Sequence, residues 1–184
     1  MTTSATPPRA TIIHGYGATP ADHWFGWLAA RLAEAGWASV VPALPEPDSP
    51  DPGRWLTATA AAVGTPGAGD LVVGHSLGCL TVLRHLAALP GDWRLGRLVL
   101  VAGFVDPLPA LPGLDPYVAG AVAGLDRIAS RTGEVTVLRS DADAYVPAGH
   151  TDRLAHLLGV PVRVVPGAGH FLAEEGVTTL PAAL

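Results

Sequence analysis

The chain has 184 residues and a mass of 18.8 kDa, enough for one domain with a sizeable core and too little for two. Hydrophobic residues make up 49% and charged residues 15%, which excludes a disordered chain, and a net charge of −5 without an arginine cluster leaves no footprint for nucleic acid. All 11 basic residues are arginine, so chemistry that needs a lysine, such as a Schiff base, a phosphate-loop lysine or a Ser-Lys dyad, is excluded. The single cysteine, Cys79, rules out an internal disulfide framework and fits a reducing compartment, as a small buried apolar residue. The apolar runs are short and interrupted, and Met1 to Ala10 lacks a basic start followed by an apolar stretch. A cytoplasmic location is expected, with residues 1–9 extended or disordered.

In chain order, the β-branched run Ala10 to His14 reads as a first strand ending in the loop Gly15-Tyr16-Gly17. Thr19-Pro20 has the form of a helix cap followed by proline, and Trp24, Trp27, Leu28, Leu32 and Ala35 recur at helical spacing up to Gly36. Trp37 to Val41 is a second strand, and the proline-rich stretch 42–50 is an irregular loop. Asp51-Pro52 repeats the cap-plus-proline start for a helix reaching Val63. Leu71 to Gly74 is apolar without alternation, as in a parallel sheet covered on both faces, and a helix follows Ser76 as far as Pro90-Gly91. A fourth strand spans 97–102, and a helix weakened by Gly120 and Gly124 spans 117–130. Strands five and six fall at 135–139 and 162–165, separated by a helix that ends at Leu158, and a short helix is expected within 172–184. The β-α alternation predicts an α/β fold with a mostly parallel six-stranded sheet and helices on both faces.

Gly74-His75-Ser76-Leu77-Gly78 sits between strand three and its helix. A G-x-S-x-G pattern is weak alone, since this composition produces about 0.09 such matches by chance. Its weight comes from the sheet. Loops leaving the carboxyl ends of parallel strands gather on one rim, where sites form. Strand three delivers Ser76 to that rim, strand five delivers Asp141 and Asp143, and strand six delivers His170. Serine, carboxylate and imidazole in that chain order make a nucleophile, an orienting acid and a general base. The N–H of Leu77, at the positive end of the helix, and the N–H of Tyr16 are the expected donors to an oxyanion.

The motifs H-G-Y-G, D-H-W-F-G-W-L, G-H-S-L-G, S-D-A-D-A-Y-V-P and G-A-G-H-F, in this order from Thr11 to Phe171, resemble the small, lidless serine hydrolase family that includes retinoblastoma-binding protein nine and its bacterial relatives. The resemblance implies an α/β-hydrolase fold with strand order 2-1-3-4-5-6 and no separate lid domain. It also implies a bacterial-type hydrolase of small ester, thioester or peptide-like substrates that uses no cofactor. Carried over residue by residue, it gives Ser76 as nucleophile, His170 as base and Asp143, through D-x-x-V-P, as the acid. A small acyl compound is then the expected partner, for a monomer or a dimer. The competing expectation is a binding module that keeps the fold without the chemistry.

The residues expected to line the substrate pocket are His14, Trp24, His75, Phe104, Tyr145 and Phe171, with Phe104 to Ser130 forming a roof made mobile by Gly113, Gly120 and Gly124. The seven histidines form no metal motif, His150 and His156 being six apart. Gly15 and Gly17 lack the third glycine of a dinucleotide loop.

Overall fold

The computed structural model describes residues 7–120 and 122–184. Six strands form one sheet in the order β2-β1-β3-β4-β5-β6, as expected. They are β1 (Arg9–Ile13), β2 (Ala38–Val40), β3 (Leu71–His75), β4 (Leu95–Val101), β5 (Thr132–Ser140) and β6 (Val162–Val165). All five pairings are parallel. The helices are α1 (Phe25–Glu34), α2 (Pro52–Val63), α3 (Leu77–Ala88), the single turn α4 (Asp115–Val118), α5 (Leu125–Arg131) and α6 (Ala148–Leu158). Among the described residues no helix is long and apolar enough to cross a membrane.

Side chains alternate across a strand, and here both faces are buried. Val72, Leu98, Leu100 and Val137 face a core shared with α2, α3, α5 and α6. Leu71, Val73, Val99, Val101 and Leu138 face a second core, covered by Phe25, Leu28 and Leu32 of α1 and by Phe171, Leu180 and Ala183 of the C-terminal segment. One side of the sheet therefore depends on the tail for its cover. The register pairs Ile13 with Gly74, His75 with Val101, and Val101 with Leu138, so the strand ends are level and their loops share one rim.

Several boundaries differ from the sequence reading, each for a local reason. The cap signal at Thr19-Pro20 serves a turn: the Asp22 carboxylate accepts from the Thr19 N–H at 2.6 Å, and His23 at φ 53° keeps the helix from starting before Phe25. At Asp51-Pro52 the same signal does open a helix, with the Asp51 carboxylate accepting from the Arg54 N–H. The helix expected over 117–130 is two short pieces, interrupted where Gly120 and Gly124 adopt positive φ; Ala121 lies outside the described residues. The tail forms two single 3-10 turns, Ala173–Glu175 and Pro181–Ala183, in place of an α-helix. Of the N-terminal stretch, residues 1–6 lie outside the described residues, and Arg9 opens β1 with its backbone N–H on the Asp70 carboxylate.

Two glycines separate the effects of space and of backbone freedom. A Cβ on Gly78 would lie 2.5 Å from the carbonyl oxygens of Ile13 and His14, whereas one on Gly26 in α1 would meet nothing within 4 Å. Gly78→Ala is expected to lower stability by about 1–3 kcal/mol through overpacking. Gly26→Ala should raise it by roughly 0.5–1 kcal/mol through helix propensity. Urea unfolding midpoints of the two variants check both signs.

Candidate active site

The turn from β3 to α3 is tight because glycines remove the atoms that would collide. A side chain at Gly74 would come within 2.8 Å of the Cys79 backbone, and one at Gly15 within 2.9 Å of the Ser76 Cβ. Between these contacts Ser76 adopts φ 53° and ψ −122°, a conformation rarely accepted by a non-glycine residue, and its N–H bonds to the Val101 carbonyl at 2.8 Å. The hydroxyl is thereby lifted off the strand toward the loop that carries His170.

The side chains of Ser76, His170 and Asp143 meet at this point. His170 Nε2 lies 2.9 Å from Ser76 Oγ, and His170 Nδ1 lies 2.8 Å from Asp143 Oδ2. The second oxygen of Asp143 accepts from the N–H groups of Tyr145 and Val146, both at 2.9 Å, which fixes the carboxylate in place. Asp141 is elsewhere: its carboxylate accepts from the Gly167 N–H at 2.7 Å and ties the loop after β5 to the loop after β6.

His170 is also held by both ends of its backbone. Its N–H donates to the Glu175 carboxylate at 2.6 Å, and its carbonyl accepts from His75 Nε2 at 2.9 Å. Glu175 also accepts from the Leu172 N–H. Gly169, at φ 54°, has to be small because a Cβ there would strike the Glu175 carboxylate. The tail thus supplies a clamp that the sequence reading missed. The signal was a glutamate five residues after the histidine, in a stretch with weak periodicity.

On the opposite side, the loop after β1 carries Tyr16. His14 donates from Nδ1 to the Gly15 carbonyl and accepts at Nε2 from the Leu44 N–H, while the Gly17 N–H bonds to the Pro47 carbonyl. The proline-rich loop is therefore the brace for this turn. Leu77 is the first residue of α3, and an N–H at that position has no carbonyl one turn earlier to bond.

Of the residues read as pocket candidates, only Tyr145 lines the cleft, with its ring 5.2 Å from that of His170. His14, Trp24, His75, Phe104 and Phe171 are buried: Trp24, Phe104 and Phe171 pack beneath the rim, His14 spends both ring nitrogens on backbone, and His75 commits its Nε2 to the His170 carbonyl. The cleft of about 220 Å³ is walled instead by Tyr16, His23, Leu111, Leu172 and Glu174 around Ser76 and His170. His23 was overlooked because the helical reading placed it inside α1. In the fold its Nδ1 accepts from the Ala173 N–H, drawing the tail to the site. The expected roof contributes Leu111, and its far end is fastened: Arg84 donates to the carbonyls of Tyr117, Val118 and Ala119.

Burial sets the charge of the neighbouring imidazoles. It pushes His75 well below its ordinary pKa, and the neighbouring His170 ring makes a second charge there still less favourable. His14, His23 and His85 are also lowered, again mainly by desolvation. These groups stay neutral in the fold at a pH where the unfolded chain protonates them, so unfolding takes up protons and stability falls as pH drops below roughly 6.5. Urea midpoints measured from pH 7.5 to pH 5 should decline for the wild type and decline less steeply for His75→Gln, which retains a donor for the His170 carbonyl. Equal slopes would contradict the burial argument.

A model described as serine hydrolase matches residues 10–184. The YdeN protein of Bacillus subtilis (strain 168), to which hydrolase activity is ascribed, is 35% identical over 170 residues, covering 92% of this chain and 89% of YdeN. Its crystal structure superposes with a TM-score of 0.90 over 95% of this chain and 94% of that one. Est1E from Butyrivibrio proteoclasticus aligns with a TM-score of 0.67 at 19% identity, covering 94% of this chain and 86% of that one, a likeness of fold. The chain belongs to the serine hydrolase family and is a hydrolase built on the α/β-hydrolase fold.

Proposed function

We propose that the protein is a carboxylesterase that cleaves small esters through an acyl-enzyme on Ser76. The observation that carries this reading is the unbroken chain of contacts from Asp143 through His170 to Ser76, at 2.8 and 2.9 Å. A general base has to lie within hydrogen-bond reach of the proton it removes, and His170 meets that condition. As Ser76 Oγ bonds to the ester carbon, its proton passes to His170 Nε2 and the carbonyl π electrons move onto oxygen. The N–H groups of Tyr16 and Leu77 receive that negative charge. Collapse of the tetrahedral species breaks the bond to the alkoxy oxygen, which leaves as the alcohol with the proton from His170. Water then repeats the sequence, with His170 as base and Ser76 as leaving group, and releases the acid.

Asp143 keeps the proton on Nδ1 so that Nε2 is free to accept, and it stabilises the imidazolium that forms. Thioesters and activated amides are attacked in the same way. Esters are the easier substrates, because an alkoxide leaves more readily than an amide anion and so asks less of His170 as the acid.

A fluorophosphonate probe tests the nucleophile directly and is expected to label Ser76 in the wild type. Ser76→Ala should abolish labelling and lower turnover of an activated ester by something on the order of 10⁶. Asp143→Asn should lower turnover by about 10⁴ through loss of the correct tautomer. Asp141→Asn, which weakens only the tie to Gly167, should cost far less. Turnover that survives Ser76→Ala, or a larger loss at Asp141 than at Asp143, overturns the assignment.

A further inference from the structure

Beside the cleft at Ser76 lies a second cavity of about 500 Å³. Asp48 and Pro50, from the connection between β2 and α2, with Pro52 at the start of α2, form one wall, and Leu111 and Pro112, from the connection between β4 and α4, with Pro116 of α4, form the other. Tyr16 and Leu111 line both spaces, so the two adjoin. Nothing in the loop that carries His170 reaches the larger one.

That asymmetry orients the substrate. The leaving-group oxygen takes its proton from His170 Nε2, so the alcohol lies on the His170 side, against Tyr145, Leu172 and Glu174. The acyl group, on the other side of the reacting carbon, extends past Tyr16 and Leu111. We propose that the proline-walled cavity is the acyl-binding subsite and that it takes bulky, uncharged acyl groups while rejecting acyl groups that end in a carboxylate. This assignment rests on the reading of Ser76 and His170 given above.

The chemistry of the walls supports the choice. Proline has no N–H, so the pyrrolidine surfaces offer ring carbons and carbonyl oxygens, and the hydroxyls of Tyr16 and Ser49 add neutral donors but no positive charge. The Gly17 N–H is already taken by Pro47, and the positive end of α2 is occupied by the Asp51 carboxylate on the Arg54 N–H. The Arg54 guanidinium pairs with Glu46 at 2.8 Å, and Arg84 is engaged with the carbonyls of Tyr117, Val118 and Ala119. Among the described residues, the one charged side chain that lines the cavity is the Asp48 carboxylate. An anion placed there meets a like charge and finds no cation to receive it. Rigid pyrrolidine rings and the Arg84 clamp leave the cavity largely preformed, so little ordering cost opposes binding.

The test uses 4-nitrophenyl acetate, 4-nitrophenyl 4-phenylbutyrate and a 4-nitrophenyl hemiester of a linear dicarboxylic acid of similar length. For the wild type, kcat/KM should be at least about tenfold higher for the phenylbutyrate than for either other ester. Ala110, exposed on a turn at the cavity wall, can be enlarged without disturbing the core. Ala110→Trp should lower the phenylbutyrate-to-acetate ratio by about tenfold. Asp48→Asn should raise the hemiester-to-phenylbutyrate ratio by roughly threefold at low salt, an effect that fades as salt is added. Ratios unchanged in both variants, with Ser76 still labelled by the fluorophosphonate, overturn the subsite and leave the esterase reading standing. If Ser76 is not labelled and no ester is turned over, the esterase reading fails instead. Calorimetric titration with 4-phenylbutyramide then decides the cavity: binding lost in Ala110→Trp upholds it, and binding that is absent or unaffected overturns it.

Discussion

The backbone of Ser76, held at φ 53° between crossings too close for a side chain, is the constraint on which the rest of the structure depends. Such a conformation costs of order 1–3 kcal/mol and persists only where the surroundings over-determine it. Here they do. α3 is pressed against the carbonyls of Ile13 and His14 at Gly78, β3 against Cys79 at Gly74, and the β1 loop against Ser76 itself at Gly15. Each contact is backbone on backbone or nearly so, and the N–H of Ser76 is anchored on β4. The central strands that carry this turn are apolar on both faces because both faces are covered.

What surrounds this elbow, the turn from β3 to α3 that carries Ser76, divides into two supports. The proline-rich loop steadies the Tyr16 turn through His14 and Pro47, and the C-terminal tail steadies His170 through Glu175. The tail has a double duty, since Phe171, Leu180 and Ala183 also share with α1 the cover of one face of the sheet. Packing and site geometry are therefore linked: a tail that leaves the sheet also releases the N–H of His170. His75 completes the link from inside the elbow, a neutral buried imidazole whose proton is committed to the His170 carbonyl.

Much of this was legible in the sequence, and the limits are instructive. Strands such as Leu71 to Val73 were readable because burial on both faces leaves an unbroken apolar run, and their order follows from the family pattern. Ser76, Asp143 and His170 were placed by the rule that parallel strands deliver their loops to one rim, with the motif separating Asp143 from Asp141. Positions whose role depends on tertiary contacts were not legible. Thr19-Pro20 and Asp51-Pro52 carry the same local signal, yet only the second starts a helix, because at the first Asp22 and His23 turn the chain aside. Trp24, Phe104 and Phe171 have the chemistry of pocket residues but serve the core, while His23 and Glu175 act through contacts spanning 150 and five residues respectively.

The central claim is that the Ser76 hydroxyl, activated by His170, becomes covalently acylated during turnover. Acid quench of the enzyme during steady-state hydrolysis of an activated ester, followed by peptide mapping by mass spectrometry, tests this most directly. The account predicts an added acyl mass on the peptide that contains Ser76, absent from Ser76→Ala. Turnover with an unmodified Ser76 peptide, or with the acyl group on another residue, would contradict it.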